Sequence, residues 1–164
     1  MRDVLESIET EYRLYKGLAE ATFEQLTPDQ LGQVLAADGN SIVILVWHIS
    51  GNLKSRFTDF LTSDGEKPWR QRESEFDARE PTHADLRRKW DEGWAVLLAT
   101  LRQLSDADLS TRVVIRGEGM SVGAALHRSL AHTIYHVGQI VLLGKSLRGA
   151  AWRTLSVPRN RART

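Results

Sequence analysis

The residues of this chain best suited to chemistry are its five histidines, His48, His83, His127, His132 and His136. On a helix turning about 100° per residue, His132 and His136 lie about 40° apart, on the side shared with Ala125, Ser129, Ile140 and Leu143. Neutral imidazole is the commonest protein metal ligand, and an H-x-x-x-H pair on one helix face can grip a single ion with both rings. His127 falls about 140° or more from both, and His83 falls in a first helical turn where solvent is the default, so neither is a ligand candidate. His48 follows the apolar run Ile42-Val43-Ile44-Leu45-Val46-Trp47, and an imidazole buried there needs a partner. A third imidazole from another helix would complete a facial set with open coordination positions, as a catalytic site requires and a closed structural site does not. Taken alone, the pair also reads as two polar residues on a helix flank. The zincin pattern is absent, because Thr133 stands where its glutamate would be. Gln139, three residues after His136, is either an orienting partner for a ligand or an ordinary amide at the edge of the core.

Four amphipathic segments must position these groups. Val4, Leu5, Ile8, Tyr12, Tyr15, Leu18, Ala19, Phe23 and Leu26 recur at three- and four-residue steps and predict a first helix over residues 4–26, closed by Thr27-Pro28. Ser41 is the N-cap of a second helix over 41–62, apolar on every side at its start. Residues 63–81 show neither helical nor strand period; their two aromatics, Trp69 and Phe76, predict an ordered surface loop pinned to the body. Thr82 and Asp85 form an acidic capping box opening a third helix over 82–104, and Ser121 caps a fourth over 121–145 with a helical turn after it. Residues 112–116, Arg-Val-Val-Ile-Arg, predict a brief extended piece and no sheet. The segments Leu26-Thr27-Pro28-Asp29-Gln30-Leu31 and Leu104-Ser105-Asp106-Ala107-Asp108-Leu109 echo one another, each ahead of an apolar helix that carries histidine. The expected fold is all-α, a four-helix bundle of two similar hairpins with long connections after the second and third helices.

Composition bounds the chemistry further. A chain of 164 residues, 41% hydrophobic, can bury a full core in one domain, here set at 1–155 with a basic tail over 156–164. With no cysteine, disulfides, zinc ribbons and cysteine nucleophiles are excluded, and any thiol must arrive with a ligand. The apolar run Ile42–Trp47 is far short of the ~20 residues that cross a bilayer, so no membrane partner is expected. Acids within the first six residues and the absence of an apolar stretch there argue against export, which points to the cytoplasm. Twenty-two Lys and Arg against 21 Asp and Glu give no basic field for nucleic acid; the four arginines from Arg153 onward read as a solvated end.

The segments Asn40-Ser41-Ile42 through Trp47-His48-Ile49 and His132-x-x-x-His136-Val137-Gly138-Gln139-Ile140 resemble the DinB-like family of small bacterial four-helix-bundle proteins. The likeness runs over nearly the whole chain, and the loop from Thr62 to Arg70 resembles an uncharacterised branch of that family. The resemblance implies one divalent ion (zinc, nickel, manganese or iron) held by His48, His132 and His136, and a homodimer. The apolar start of the second helix offers a face that one bundle would leave uncovered; the first or the second helix would supply the contact. Better-understood relatives of this family are metal-dependent thiol transferases that use a low-molecular-weight thiol. Two functions follow. The first is an enzyme whose metal activates a thiol cosubstrate or water for attack on a small electrophile, with Arg70 or Arg72 either holding cosubstrate carboxylates or standing as solvated loop charges. The second is a non-catalytic, metal-stabilised bundle that works through partner or dimer association, with Trp47 and Trp69 at the interface. Hydrolysis of an amide or ester is weakened by the lack of an acidic general base beside the histidine pair.

Overall fold

The computed structural model describes residues 2–157. Of the basic tail at 156–164, residues 158–164 lie outside the described residues. Helix α1 (Asp3–Phe23) is followed by the short α2 (Pro28–Gly32), then α3 (Ile42–Phe57), α4 (His83–Gln103) and α5 (Val122–Arg148). The long helices α1, α3, α4 and α5 form the bundle, with α3 packed most extensively on α4, α1 on α5, and α3 also on α5. Their shared core holds Tyr12, Phe23, Leu53, Trp90, Trp94 and Ile140, all essentially shielded from solvent.

Local chemistry explains where the helices begin. Ser41 Oγ accepts from Ile44 N–H at the start of α3, and Ser121 Oγ from Ala124 N–H at the start of α5. At α4, Thr82 and Asp85 form the reciprocal capping box that their spacing predicts. The echo between the two connectors is physical as well: Thr27 with Gln30 and Ser105 with Asp108 each build a capping box, opening α2 and a 3-10 turn over Asp106–Ser110.

Three expectations need correction. First, α3 ends at Phe57, five residues before the expected 62. Thr58 is extended and Asp59 takes φ 48°, a left-handed conformation that a short polar side chain tolerates, and the reversal lays Phe60 against Phe57 with ring centroids 5.0 Å apart. Secondly, the extended piece at 112–116 does form a sheet: β1 (Arg112–Ile115) pairs antiparallel with β2 (Glu118–Ser121) in the register Val113 to Met120 and Ile115 to Glu118. Arg116 and Gly117, with φ 56° and 76°, make the tight two-residue turn whose twist suits a hairpin. Thirdly, Ile42 to Val46 are all buried within their own chain, so the start of α3 leaves no uncovered apolar face.

The connection between α3 and α4 is ordered, as its aromatics predict. Ser55 Oγ donates to Gly65 O at 2.8 Å, Gly65 N–H donates to Val114 O at 2.8 Å, and Lys67 N–H donates to Ser55 Oγ at 3.2 Å. These bonds tie the loop to α3 and to the hairpin, and its 3-10 turn, Glu73–Phe76, lies against α3 beside His48. No helix among the described residues is long and apolar enough to cross a membrane.

Candidate metal centre

His48 comes from the middle of α3, and His132 and His136 from adjacent turns of α5. Packing of α3 on α5 brings the three together, so that one ring nitrogen of each lies within 4.8 Å of the others. His48 Nε2 stands 3.1 Å from His132 Nε2, which stands 3.2 Å from His136 Nε2. Two nitrogens each about 2.1 Å from one ion at a tetrahedral angle are about 3.4 Å apart, so this spacing fits a common cation.

The outward nitrogens decide what the inward ones can do. His48 Nδ1–H donates to Glu75 Oε2 at 2.9 Å, and His136 Nδ1–H donates to Gln139 Oε1 at 2.9 Å. With those protons on Nδ1, the neutral rings of His48 and His136 present bare lone pairs at Nε2. His132 Nε2 can carry at most one proton between two such neighbours, so the cluster has more acceptors than donors. A cation that accepts all three lone pairs resolves the mismatch, and the residues present therefore fit a divalent metal.

Burial first, then the neighbouring His136 and His48 and the charges of Arg70 and Arg56, lower the His132 pKa to about 3. His136 is also lowered, chiefly by burial, although its bond to Gln139 pulls the other way. Both rings are thus held neutral, the form a metal requires.

Sequence reasoning missed the residue that orients His48. Glu75 lies in the long loop and is only 7% exposed. Burial alone would raise its carboxyl, but hydrogen bonds from His48 and Arg70 and the Arg70 charge outweigh it and hold the group below the usual carboxylate range. Arg70 grips Glu75 with both Nε and Nη2, at 2.8 and 2.9 Å. Gly51, one helical turn's width from His48 on α3, makes room for the carboxylate: a Cβ there would stand 2.8 Å from Glu75 Cδ. Phe76 then covers the His48 ring, with centroids 5.1 Å apart. The only sequence signal for this array is an aromatic in an aperiodic loop, which says that the loop docks and leaves open which carboxylate it delivers.

The remaining assignments divide. Gln139 is the partner of His136, the orienting role open to it from spacing. His127 is exposed, and His83 bonds Leu26 O at 2.9 Å; neither joins the cluster. Arg70 is engaged by Glu75, and Arg72 pairs with Glu73 over the face of Phe76. Beside His48 and His132 opens a cavity of about 320 Å³ between α3, α5, the long loop and the hairpin.

Among curated proteins none matches this chain. Among solved structures, the crystal structure of a DinB-like protein from Bacillus cereus ATCC 10987 is similar, with a TM-score of 0.65 and 17% sequence identity over 86% of this chain and 91% of that one. That likeness shows a shared fold. The sequence itself matches, over residues 1–161, a DinB-like family described as Protein of unknown function (DUF1572), and the chain belongs to that family.

Proposed function

We propose that this protein is a metal-dependent enzyme in which His48, His132 and His136 hold one divalent ion that activates a thiol cosubstrate or water for attack on a small electrophile. The observation that carries this reading is the convergence of three imidazole nitrogens beside an open cavity, with no fourth metal-ligating residue in the group among the described residues. A divalent cation, when bound, makes a coordinated thiol or water a nucleophile near neutral pH. The chain's own groups do the rest. Glu75 and Gln139 fix the rings of His48 and His136 through their Nδ1 protons, Arg70 keeps Glu75 in place, and Phe76 shields His48. Since the chain has no cysteine, a reacting thiol comes from a low-molecular-weight cosubstrate.

The test is consumption of a small thiol in the presence of electrophiles by metal-loaded protein, with chelated protein as the control. Turnover that needs the metal is expected; failure across a broad panel, with one ion per chain confirmed, would remove the enzyme reading. The second reading, a non-catalytic bundle braced by metal and acting through association, draws on the fact that the cluster cross-links α3 to α5. A bound ion with no exchangeable water would favour it.

The proposal extends to a single domain over 1–155 working in the cytoplasm as a homodimer. With the start of α3 buried, α1 is the remaining one of the two expected contact helices, and it exposes Val4 and Leu14. Sedimentation at micromolar concentration tests this, and a species of monomer mass alone would count against it.

A further inference from the structure

The cavity beside the histidine cluster is lined by five arginines, Arg56, Arg70, Arg72, Arg116 and Arg128, and by no carboxylate. Three acids outside its lining offset part of this charge. Glu66 is shared by Arg56 and Arg116, Glu75 takes Arg70, and the exposed Glu73 takes Arg72. Arg128 has no ion-pair partner among the described residues, and the wall keeps an excess of two positive charges. Neutral histidine ligands would leave a bound metal's own charge uncancelled beside it.

Arg70 sharpens the point. Its side chain is 2% exposed, and the edge formed by Nε and Nη2 is filled by Glu75. Its third nitrogen, Nη1, is buried without a hydrogen-bond partner among the described residues. The guanidinium is planar and its donors diverge, so Nη1 cannot reach the carboxylate that the other two hold. A buried charged donor left unmade is costly, and such orphans in native structures mark a missing partner. Nη1 is also closed off from solvent, so Arg70 acts on the cavity it lines through its charge, which favours an anion there.

We infer that this cavity binds a small molecule through an anionic group, a carboxylate or a phosphate, and so sets the rest of that molecule against His48 and His132. Arg72 and Arg128, both exposed at the surface, hold the anion, and the buried Arg70 guanidinium adds its charge from behind. Calling that molecule the substrate or cosubstrate rests on the enzyme reading above; the binding itself does not.

The experiment therefore uses the full chain with metal removed, titrated at constant ionic strength with inorganic phosphate, with succinate and with the uncharged diamide of succinate, and read by calorimetry. Saturable binding of phosphate or of succinate, with none of the diamide, is expected, and the arm that saturates identifies the anion. The double variant Arg72→Gln/Arg128→Gln, which removes none of the bonds joining His48, Glu75 and Arg70, should bind about tenfold more weakly, as loss of charge-assisted bonds implies. No saturation with either anion, or equal affinity in the double variant, overturns the inference. Anion binding in a protein that then takes up no metal would instead sink the metal reading and leave this one standing.

Discussion

Glu75 Oε2 accepts a hydrogen bond from His48 Nδ1 at 2.9 Å, across 27 residues of sequence and from an aperiodic loop into the middle of α3. A carboxylate on the outward nitrogen of an imidazole fixes the tautomer, aims the other nitrogen and raises its basicity. The arrangement makes the loop part of the candidate metal centre, and Arg70 in turn makes it rigid.

Glu75→Gln keeps the shape and removes the charge. Metal affinity is expected to fall about 10- to 100-fold, measured by competition with a chromophoric chelator. Glu75→Ala differs in kind, because it leaves Arg70 buried with its charge unpaired, and a loss of about 3–5 kcal/mol in unfolding free energy is expected. A change below 1 kcal/mol, on the order of an exposed pair, would mean that the loop undocks and lets water reach Arg70.

Gly51→Ala places a methyl group where the Glu75 carboxyl sits. The carboxylate cannot retreat without breaking its bonds to His48 and Arg70, so weaker metal binding is expected from a residue that offers no ligand atom. Isothermal titration of the variant with zinc checks this, and wild-type affinity would show that the loop yields freely.

Alanine at His48, His132 or His136 should abolish or greatly weaken binding of the divalent ion, whereas His83→Ala and His127→Ala should bind normally. Metal should raise the melting temperature of the wild type and of the two control variants only, since a ligand that binds just the folded state stabilises it by mass action. Full occupancy in His132→Ala, determined by elemental analysis, would place the ion elsewhere.

Acid should destabilise the metal-free fold through His132. Its pKa is about 3 when folded, against about 6.5 for an unperturbed histidine, so between these values the unfolded chain binds a proton that the folded chain does not. Stability should be flat with respect to this group above about pH 6.5 and decline as the pH falls towards about 3. Urea unfolding of chelated protein across this range should show a shallower slope in His132→Ala; an unchanged slope would mean that His132 is solvated and titrates normally.

Much of the fold was legible in one dimension because helical period and capping are local. The apolar steps from Val4 to Phe23, the box at Thr82 and the caps at Ser41 and Ser121 depend on neighbours within one turn. The pairing of His132 with His136 is equally local, since residues four apart must share a helix face. His48 could be singled out because an imidazole within an apolar run needs a partner, although nothing in its own segment says which.

Contacts that depend on distant segments were decided by tertiary structure. The hairpin has no full signature in the sequence because only one of its strands is β-branched; Glu118-Gly119-Met120-Ser121 pairs through backbone hydrogen bonds, which carry no side-chain signal. The end of α3 depends on a tertiary contact, because the reversal at Thr58 and Asp59 is rewarded by Phe60 packing back on Phe57. Glu75 and Arg70 were unreadable for a related reason: charged residues in a polar loop are solvated by default, and these two are buried because each neutralises the other while the loop docks on Gly51 and His48. The sequence by itself determined the helices and the facing histidine pair, through interactions within a turn or two; only the tertiary structure decided which third imidazole, which carboxylate and which arginines meet them, because those depend on how helices and loop pack across the chain.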